Sequence, residues 1–293
     1  MAGGISNYAQ AKLLDHMIAG NARSWTNTAD HKLKLYTANP DFDAGTGGTE
    51  KTTQGGYTVG GNAVAMSSTN WNAPATQTNG MRVTNKATSA FSWTASADWS
   101  PVPIVGAACF DNAGTNLLYG KALDNSRTPY NGDTLRFALN ALAIDLDTTA
   151  DAGISTFWKT AALNHLFNLS AYSAPATGYI ALFTTNGNFR TGAYAGFTEV
   201  TTVSTGYARL AVTMNTAWNA TNASTGICTN ATAFNTWAAA TANYGTVVGA
   251  ALVSNASGDW TTGFWAGNSF TGVAVNIGDT FSIAAGNFSV KID

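Results

Sequence analysis

The chain has 293 residues, of which only 10% are charged, and a formal net charge of -2. That length allows two domains of about 150 residues, each burying roughly two thirds of its unfolded surface, so folding requires neither disulfides nor metals. The near-neutral balance, without a Lys/Arg run, excludes an electrostatic footprint for nucleic acid, and no apolar run approaches the length of a membrane-spanning helix.

Ordinary soluble domains carry about 25% charged residues, so Asn, Thr, Ser and Gly must keep this surface wet. The first 20 residues lack a basic region followed by a continuous apolar core, which predicts a chain made and folded in the cytoplasm.

In chain order, a helix comes first. Tyr8, Ala11, Leu14, Met17 and Ile18 share one helical face, Ser6 stands at the N-cap position and Gly20 ends the run. His31, beside Lys32 and Lys34, reads as a solvated strand edge. Short strands are predicted over residues 33–37, 57–66, 104–110, 117–123, 134–139 and 142–146, with Gly, Asn, Thr and Ser turns between them. The polar stretch 70–86 reads as an insertion. Cys109 and Cys228 lie among apolar or small residues with no metal-ligand spacing, which predicts buried free thiols.

The pattern then recurs. Ile5-Ser6 and Leu14-Asp15-His16-Met17 are answered by Ile154-Ser155 and Leu163-Asn164-His165-Leu166. LYTANP (35–40) is answered by LFTTNG (182–187), Gly56-Tyr57 by Gly206-Tyr207, and Trp71 by Trp218. IVGAAC (104–109) matches VVGAAL (247–252), and NGDTLRF (131–137) matches IGDTFSI (277–283). Each copy closes on an apolar-Asp pair, Leu146-Asp147 and Ile292-Asp293. Landmarks kept in the same order make this a tandem duplication. The expected domains are residues 1–150 and 151–293, joined by a small-residue tether at 148–153. About seven or eight strands per copy, with no helix between them, imply a mainly β fold: two tandem antiparallel β-sandwiches, jelly-roll-like, each preceded by a short N-terminal helix.

Chemistry-bearing groups are sparse. His16 and His165 occupy matching helix positions, but no acid or nucleophile stands at fixed spacing, so local packing or capping is the preferred reading. Asp41-Phe42-Asp43 through Glu50 suggests an oxygen-ligand calcium loop, yet its counterpart Asn188-Phe189-Arg190 has lost both acids. Asp145, Asp147 and Asp151 read as a solvated strand end and linker. No GxSxG, HExxH, P-loop or GxGxxG element is present, and two glutamates leave little for a paired-carboxylate mechanism. No enzyme, metal or cofactor is expected. Trp71, Trp93, Trp218 and Trp237 recur in both copies and are expected in the core, although tryptophan faces can also form sugar platforms. Trp25, Trp99 and Trp158 lack a tryptophan counterpart and are the expected interface anchors.

Several of these stretches resemble a family of bacteriophage structural proteins that includes tail-fibre, head-fibre and capsid decoration proteins. In the first copy the resemblance rests on Leu13-Leu14, LYTANP (35–40), Gly48-Thr49-Glu50, Gly55-Gly56-Tyr57, Phe110-Asp111, Leu117 to Gly120, and Gly132-Asp133-Thr134. In the second it rests on Thr198-Glu199, Gly206-Tyr207-Ala208-Arg209, Tyr244-Gly245 and Gly278-Asp279-Thr280. Trp99-Ser100 departs from the family's usual Gly, and the duplication leaves the oligomeric state open. The resemblance implies a non-enzymatic virion protein. The leading expectation is a capsid decoration or cement protein that binds the major capsid protein or other virion proteins and stabilises the assembled shell, as any ligand of the assembled state does. Two linked copies would engage adjacent sites, in a symmetric homo-oligomer with a trimer as first expectation. The alternative is a tail- or head-fibre adhesin that reads a host glycan with exposed aromatic, Asn and Asp side chains.

Overall fold

The computed structural model describes residues 4–19, 30–77, 80–86, 91–147, 152–167, 169–170, 172–190, 192, 194–222, 224–260 and 263–291. Gly20, Trp25, residues 148–151 of the join and the closing Ile292-Asp293 pair lie outside the described residues.

The first repeat runs β1 (Gly4–Ile5), α1 (Asn7–Ala19), β2 (His31–Ala38), β3 (Thr49–Glu50), β4 (Asn62–Val64), β5 (Ala75–Thr76), β6 (Gly80–Thr84), β7 (Ser92–Thr94), β8 (Ile104–Phe110), β9 (Leu117–Arg127), β10 (Thr134–Arg136) and β11 (Ala143–Asp147). Its main sheet has the order β1-β9-β8-β2-β3, with β4 also on β2; smaller sheets β11-β6-β5 and β10-β7 accompany it. The second repeat runs β12 (Ala152–Ile154), α2 (Thr156–Leu166), β13 (Thr177–Thr185), β14 (Thr198–Glu199), β15 (Leu210–Thr213), β16 (Ile227–Thr229), β17 (Gly245–Val253), β18 (Phe264–Val275) and β19 (Ser289–Lys291). Its main sheet, β12-β18-β17-β13-β14 with β15 on β13, repeats the first strand for strand, and β16-β19 stands where β6-β11 does. The protein is therefore mainly β, two antiparallel sandwich repeats each opened by a helix.

Burial explains why the central strands were legible. β8, at the middle of its sheet, is covered almost throughout and reads as the continuous run IVGAACF. β2 alternates, with His31, Leu33 and Leu35 inward and Lys32 and Lys34 toward the surface. That alternation corrects the reading of His31, which is 1% exposed and holds the Tyr119 hydroxyl at 3.1 Å through Nδ1. Two further expectations are corrected. Residues 57–66 yield only the short β4, because Gly60 and Gly61 take positive φ and break the run. Residues 70–86 contain β6, which pairs with β11 and has β16 as its counterpart, so the stretch is not an insertion.

The helices start as predicted. The Ser6 hydroxyl accepts from Ala9 N at 3.2 Å and donates to the Leu117 carbonyl; that of Ser155 accepts from Trp158 N at 3.3 Å and donates to Phe264 O. Each cap thus nails the first turn to the neighbouring strand, a contribution of about 1 kcal/mol.

Where the helices go is the less expected part. α1 lies on β9 of its own repeat and on β16 of the other; α2 lies on β18 of its own and on β6 of the first, and the helices touch each other. Since β6 and β16 are equivalent strands, this is one contact made twice, the signature of a two-fold relation between the repeats. Asp15 Oδ1 accepts from Thr221 N and Oγ1 at 2.9 and 2.7 Å, and Asn7 Nδ2 donates to Ser224 O at 2.7 Å. Beyond α2, Phe167 enters the first repeat against Trp71 and Tyr119, with ring centroids 4.4 and 5.2 Å away. One apolar cluster consequently runs through both repeats, from Ile5 to Val290.

Candidate functional site

The chain's two glutamates, Glu50 and Glu199, end equivalent strands and do equivalent work. Tyr57 OH donates to Glu50 Oε1 at 2.7 Å and accepts from Leu35 N; Tyr207 OH donates to Glu199 Oε1 at 2.9 Å and accepts from Leu182 N. Burial above all, with the adjoining carboxylate, pushes both phenols well up, so each remains a donor.

Beyond this shared clamp the repeats diverge. In the first, Glu50 also accepts from Gly60 N, with Lys34 Nζ 3.5 Å from its other oxygen, and Val59 is exposed. In the second, Arg209 immediately precedes β15, where the first repeat has Gly61 before β4. Its guanidinium grips both Glu199 oxygens at 2.8 Å, donates to Asn255 O and Gly258 O, and lies 4.6 Å from the Trp260 ring centroid. A bidentate pair with all these partners fixes two loops, residues 198–202 and 255–258, in one geometry.

Between those loops opens a cavity of about 450 Å³. Its mouth carries the exposed Thr198, Thr201, Thr202 and Ser257, together with Tyr194, which is 37% exposed and whose ring meets Trp260 edge to face at 4.5 Å. Below lies a closed aromatic cluster of Phe183, Phe189, Phe197, Trp260 and Phe264, which holds the floor rigid. The arrangement offers hydroxyl groups, one exposed aromatic residue and an internally neutralised ion pair. This chemistry suits an uncharged polar ligand.

Trp99 and Trp158 are 1% and 0% exposed, committed to the interior of this chain: the Trp99 indole donates to Gly55 O at 2.8 Å, and that of Trp158 donates to the Tyr172 hydroxyl and stacks on Trp265. Trp25 lies outside the described residues. Trp71, Trp93, Trp218 and Trp237 are core residues, and every tryptophan among the described residues is buried. Among the described residues the exposed aromatics are instead Tyr130, Phe157 and Tyr194.

The acidic loop also has a structural account. Asp41 Oδ1 accepts from Asp43 N and Ala44 N, and Asn188 Oδ1 accepts from Arg190 N in the same way, so an amide serves as well as an acid. What both loops retain is the ring: Phe42 lies on Gly120 and Phe189 on Gly267, where any Cβ would collide with it. Asp145 forms a bidentate pair with Arg82 at 2.5 and 2.7 Å. Both cysteines are buried and neither is in a disulfide. Sequence reasoning missed the roles of Tyr194, Arg209 and Trp260; the available signal was an arginine two residues after the Gly-Tyr pair where the other copy has valine.

A family model described as podophage GP4 fiber I protein gp80 matches residues 4–145 and again residues 153–291. A comparison with curated proteins gave no match. Among the described residues no helix is long and apolar enough to cross a membrane. The fibre description accords better with the alternative of a fibre protein than with shell cement. Two matches spanning nearly the whole chain, on two repeats with the same strand order, place this protein in the family of podophage GP4 fiber I protein gp80: it is a structural fibre protein of the bacteriophage virion in which the family unit occurs twice.

Proposed function

We propose that this fibre protein is an adhesin that binds neutral glycan units of the host surface in the second-repeat cavity, and that its role is binding, without catalysis. The observation that carries the reading is the exposed Tyr194 ring beside a hydroxyl-lined cavity whose two loops are locked by the Arg209–Glu199 pair. A sugar presents a C–H face to an aromatic ring and hydroxyls to Thr and Ser, and a site ordered beforehand loses little entropy on binding. Because Arg209 and Glu199 neutralise each other, the cavity gives no preference for an acidic sugar.

The test is binding of the purified chain to a glycan array and to host cells, beside a Tyr194→Ala variant and stripped phage shells. Cell and glycan binding that falls at least about tenfold in the variant supports the reading, the loss expected for a stacked aromatic anchor. Co-sedimentation with shells alone, unchanged by Tyr194→Ala, would instead return the protein to the cement role.

A further inference from the structure

At one equivalent corner the two repeats carry side chains of different chemistry. Ile104 pairs with Arg127 across β8 and β9, and its counterpart Val247 pairs with Val273 across β17 and β18, so Arg127 and Val273 hold the same position. In the Gly-Asp-Thr segment that follows, Leu135-Arg136 of the first repeat answers Phe281-Ser282 of the second. In the second repeat the corner is a cavity of about 790 Å³ where Phe270 stacks on Phe281, with centroids 6.1 Å apart, and where Asp279 is the one charged residue in the lining. In the first it is a cleft of about 260 Å³ at the ends of β9 and β10, lined by Arg127 and Arg136 with Thr128, Asp133, Thr134 and Leu135.

Arginine is committed elsewhere in this chain. Arg82 and Arg209 each grip a carboxylate, that of Asp145 or Glu199, through two nitrogens. Arg127 and Arg136 are exposed, and neither side chain has an ion pair or hydrogen bond among the described residues. The carboxylate in the lining, Asp133, already accepts from Tyr130 N at 2.9 Å. Two guanidinium groups against one carboxylate leave the cleft positive in a chain whose net charge is -2.

The frame of the cleft is fixed by the chain itself. In the turn that joins β9 to β10, Pro129 O accepts from Trp99 N at 2.9 Å, Gly132 N donates to Ala95 O at 2.7 Å, and Asn131 N donates to Asp98 Oδ1 at 2.7 Å. Strand pairing sets the two arginine backbones, Arg127 opposite Ile104 and Arg136 opposite Ser92. Tyr130, 60% exposed, stands on the same turn, and Thr128 and Thr134 bring hydroxyls to the cleft.

We propose that the cleft between Arg127 and Arg136 binds the carboxylate of an acidic sugar, a uronic acid unit of a surface glycan. A guanidinium meets a carboxylate with two parallel N–H bonds, while the threonine hydroxyls and the Tyr130 ring suit the remainder of a sugar. The volume equals that of about nine waters of liquid, room for one sugar ring and too little for an extended acidic peptide. The cleft adds an acidic-sugar site to the adhesin reading, but different residues carry it, so it and the neutral Tyr194 cavity can fail separately.

Titration calorimetry of the full chain with trigalacturonate, galactotriose and inorganic phosphate tests this, beside Arg127→Gln, Arg136→Gln and Arg136→Lys. Both side chains are exposed and make no contact that holds the fold, so these variants remain folded. The expected result is trigalacturonate binding that weakens at least about tenfold in either Gln variant and is regained only in part by Arg136→Lys, as for loss of a two-pronged charged contact. Absence of trigalacturonate binding, or binding that survives both Gln substitutions, overturns the proposal. So does a galactotriose affinity that falls equally in the Gln variants, because the carboxylate is then not what the cleft reads. Phosphate bound as tightly as trigalacturonate, with the same dependence on the arginines, also overturns it and assigns the cleft to simple anions.

Discussion

His16 and His165 stack ring on ring, with centroids 4.0 Å apart and planes within 12° of each other. They are equivalent residues of the two repeats, so their contact falls on the axis that relates α1 to α2. His16 also meets the Tyr172 carbonyl through Nε2 at 2.9 Å, which ties the first helix to the segment following the second.

If the stack couples the two helices, His16→Ala and His165→Ala are not additive. A double-mutant cycle by urea unfolding is expected to give a coupling of about 1 kcal/mol. Additive losses would mean that the rings are merely adjacent.

His31 gives the chain a pH-dependent stability. Burial lowers its pKa to about 3 from the usual 6.5, with Asp111 pulling weakly the other way. Below about pH 6.5 the unfolded chain takes up a proton that the folded chain refuses until near pH 3, so stability falls with falling pH, by on the order of 1 kcal/mol per unit. Above that window the effect vanishes. His31→Gln can still hydrogen-bond the Tyr119 hydroxyl, and is expected to flatten the slope when unfolding free energies are compared at about pH 7 and about pH 4.5.

Arg209→Ala strands the Glu199 carboxylate beside Tyr207. Loss of one partner of a largely buried pair is expected to cost about 3 kcal/mol, read as a lowered denaturation midpoint. Arg209→Lys keeps the charge but not the two-pronged grip, so it should restore only part of the loss and should loosen the cavity loops, read as faster amide exchange at residues 198–202 and 255–258.

A fragment holding residues 1–147 lacks β16, the surface on which half of α1 rests. Since β6 is the equivalent strand, a second fragment can supply it. The expected product is a two-fold dimer by light scattering; a stable monomer with native helix content would show that the exchanged packing is dispensable.

The sequence made the strands of the central sheet legible wherever burial imposed a pattern. Residues 104–110 form β8 with the predicted limits, and the Gly-Asp-Thr motif proves to be a turn in which Asp133 and Asp279 accept from Tyr130 N and Asn276 N. In the smaller sheets β10 and β11 were expected, but β6 was missed because it is short and polar at its ends, with its partner β11 far along the chain. Asn85 and Asn230 show the same limit: each is buried and braces an exposed turn through both ends of its amide, a role that composition registers only as a polar residue. Periodicity revealed that α1 has an apolar face but could not say which sheet would cover it. The second-repeat cavity was equally hidden, because Tyr194, Arg209 and Trp260 converge only after folding.

The exchanged helices also decide how this molecule bears force. Two beads on a string would part at the tether under tension and bend freely at that point. Here each half grips the other's opening helix, so a pull at one end is carried across the middle by side chains in the shared interior as well as by the single strand of backbone. A virion appendage assembled from such units would be stiff at every internal joint, and would flex only between molecules.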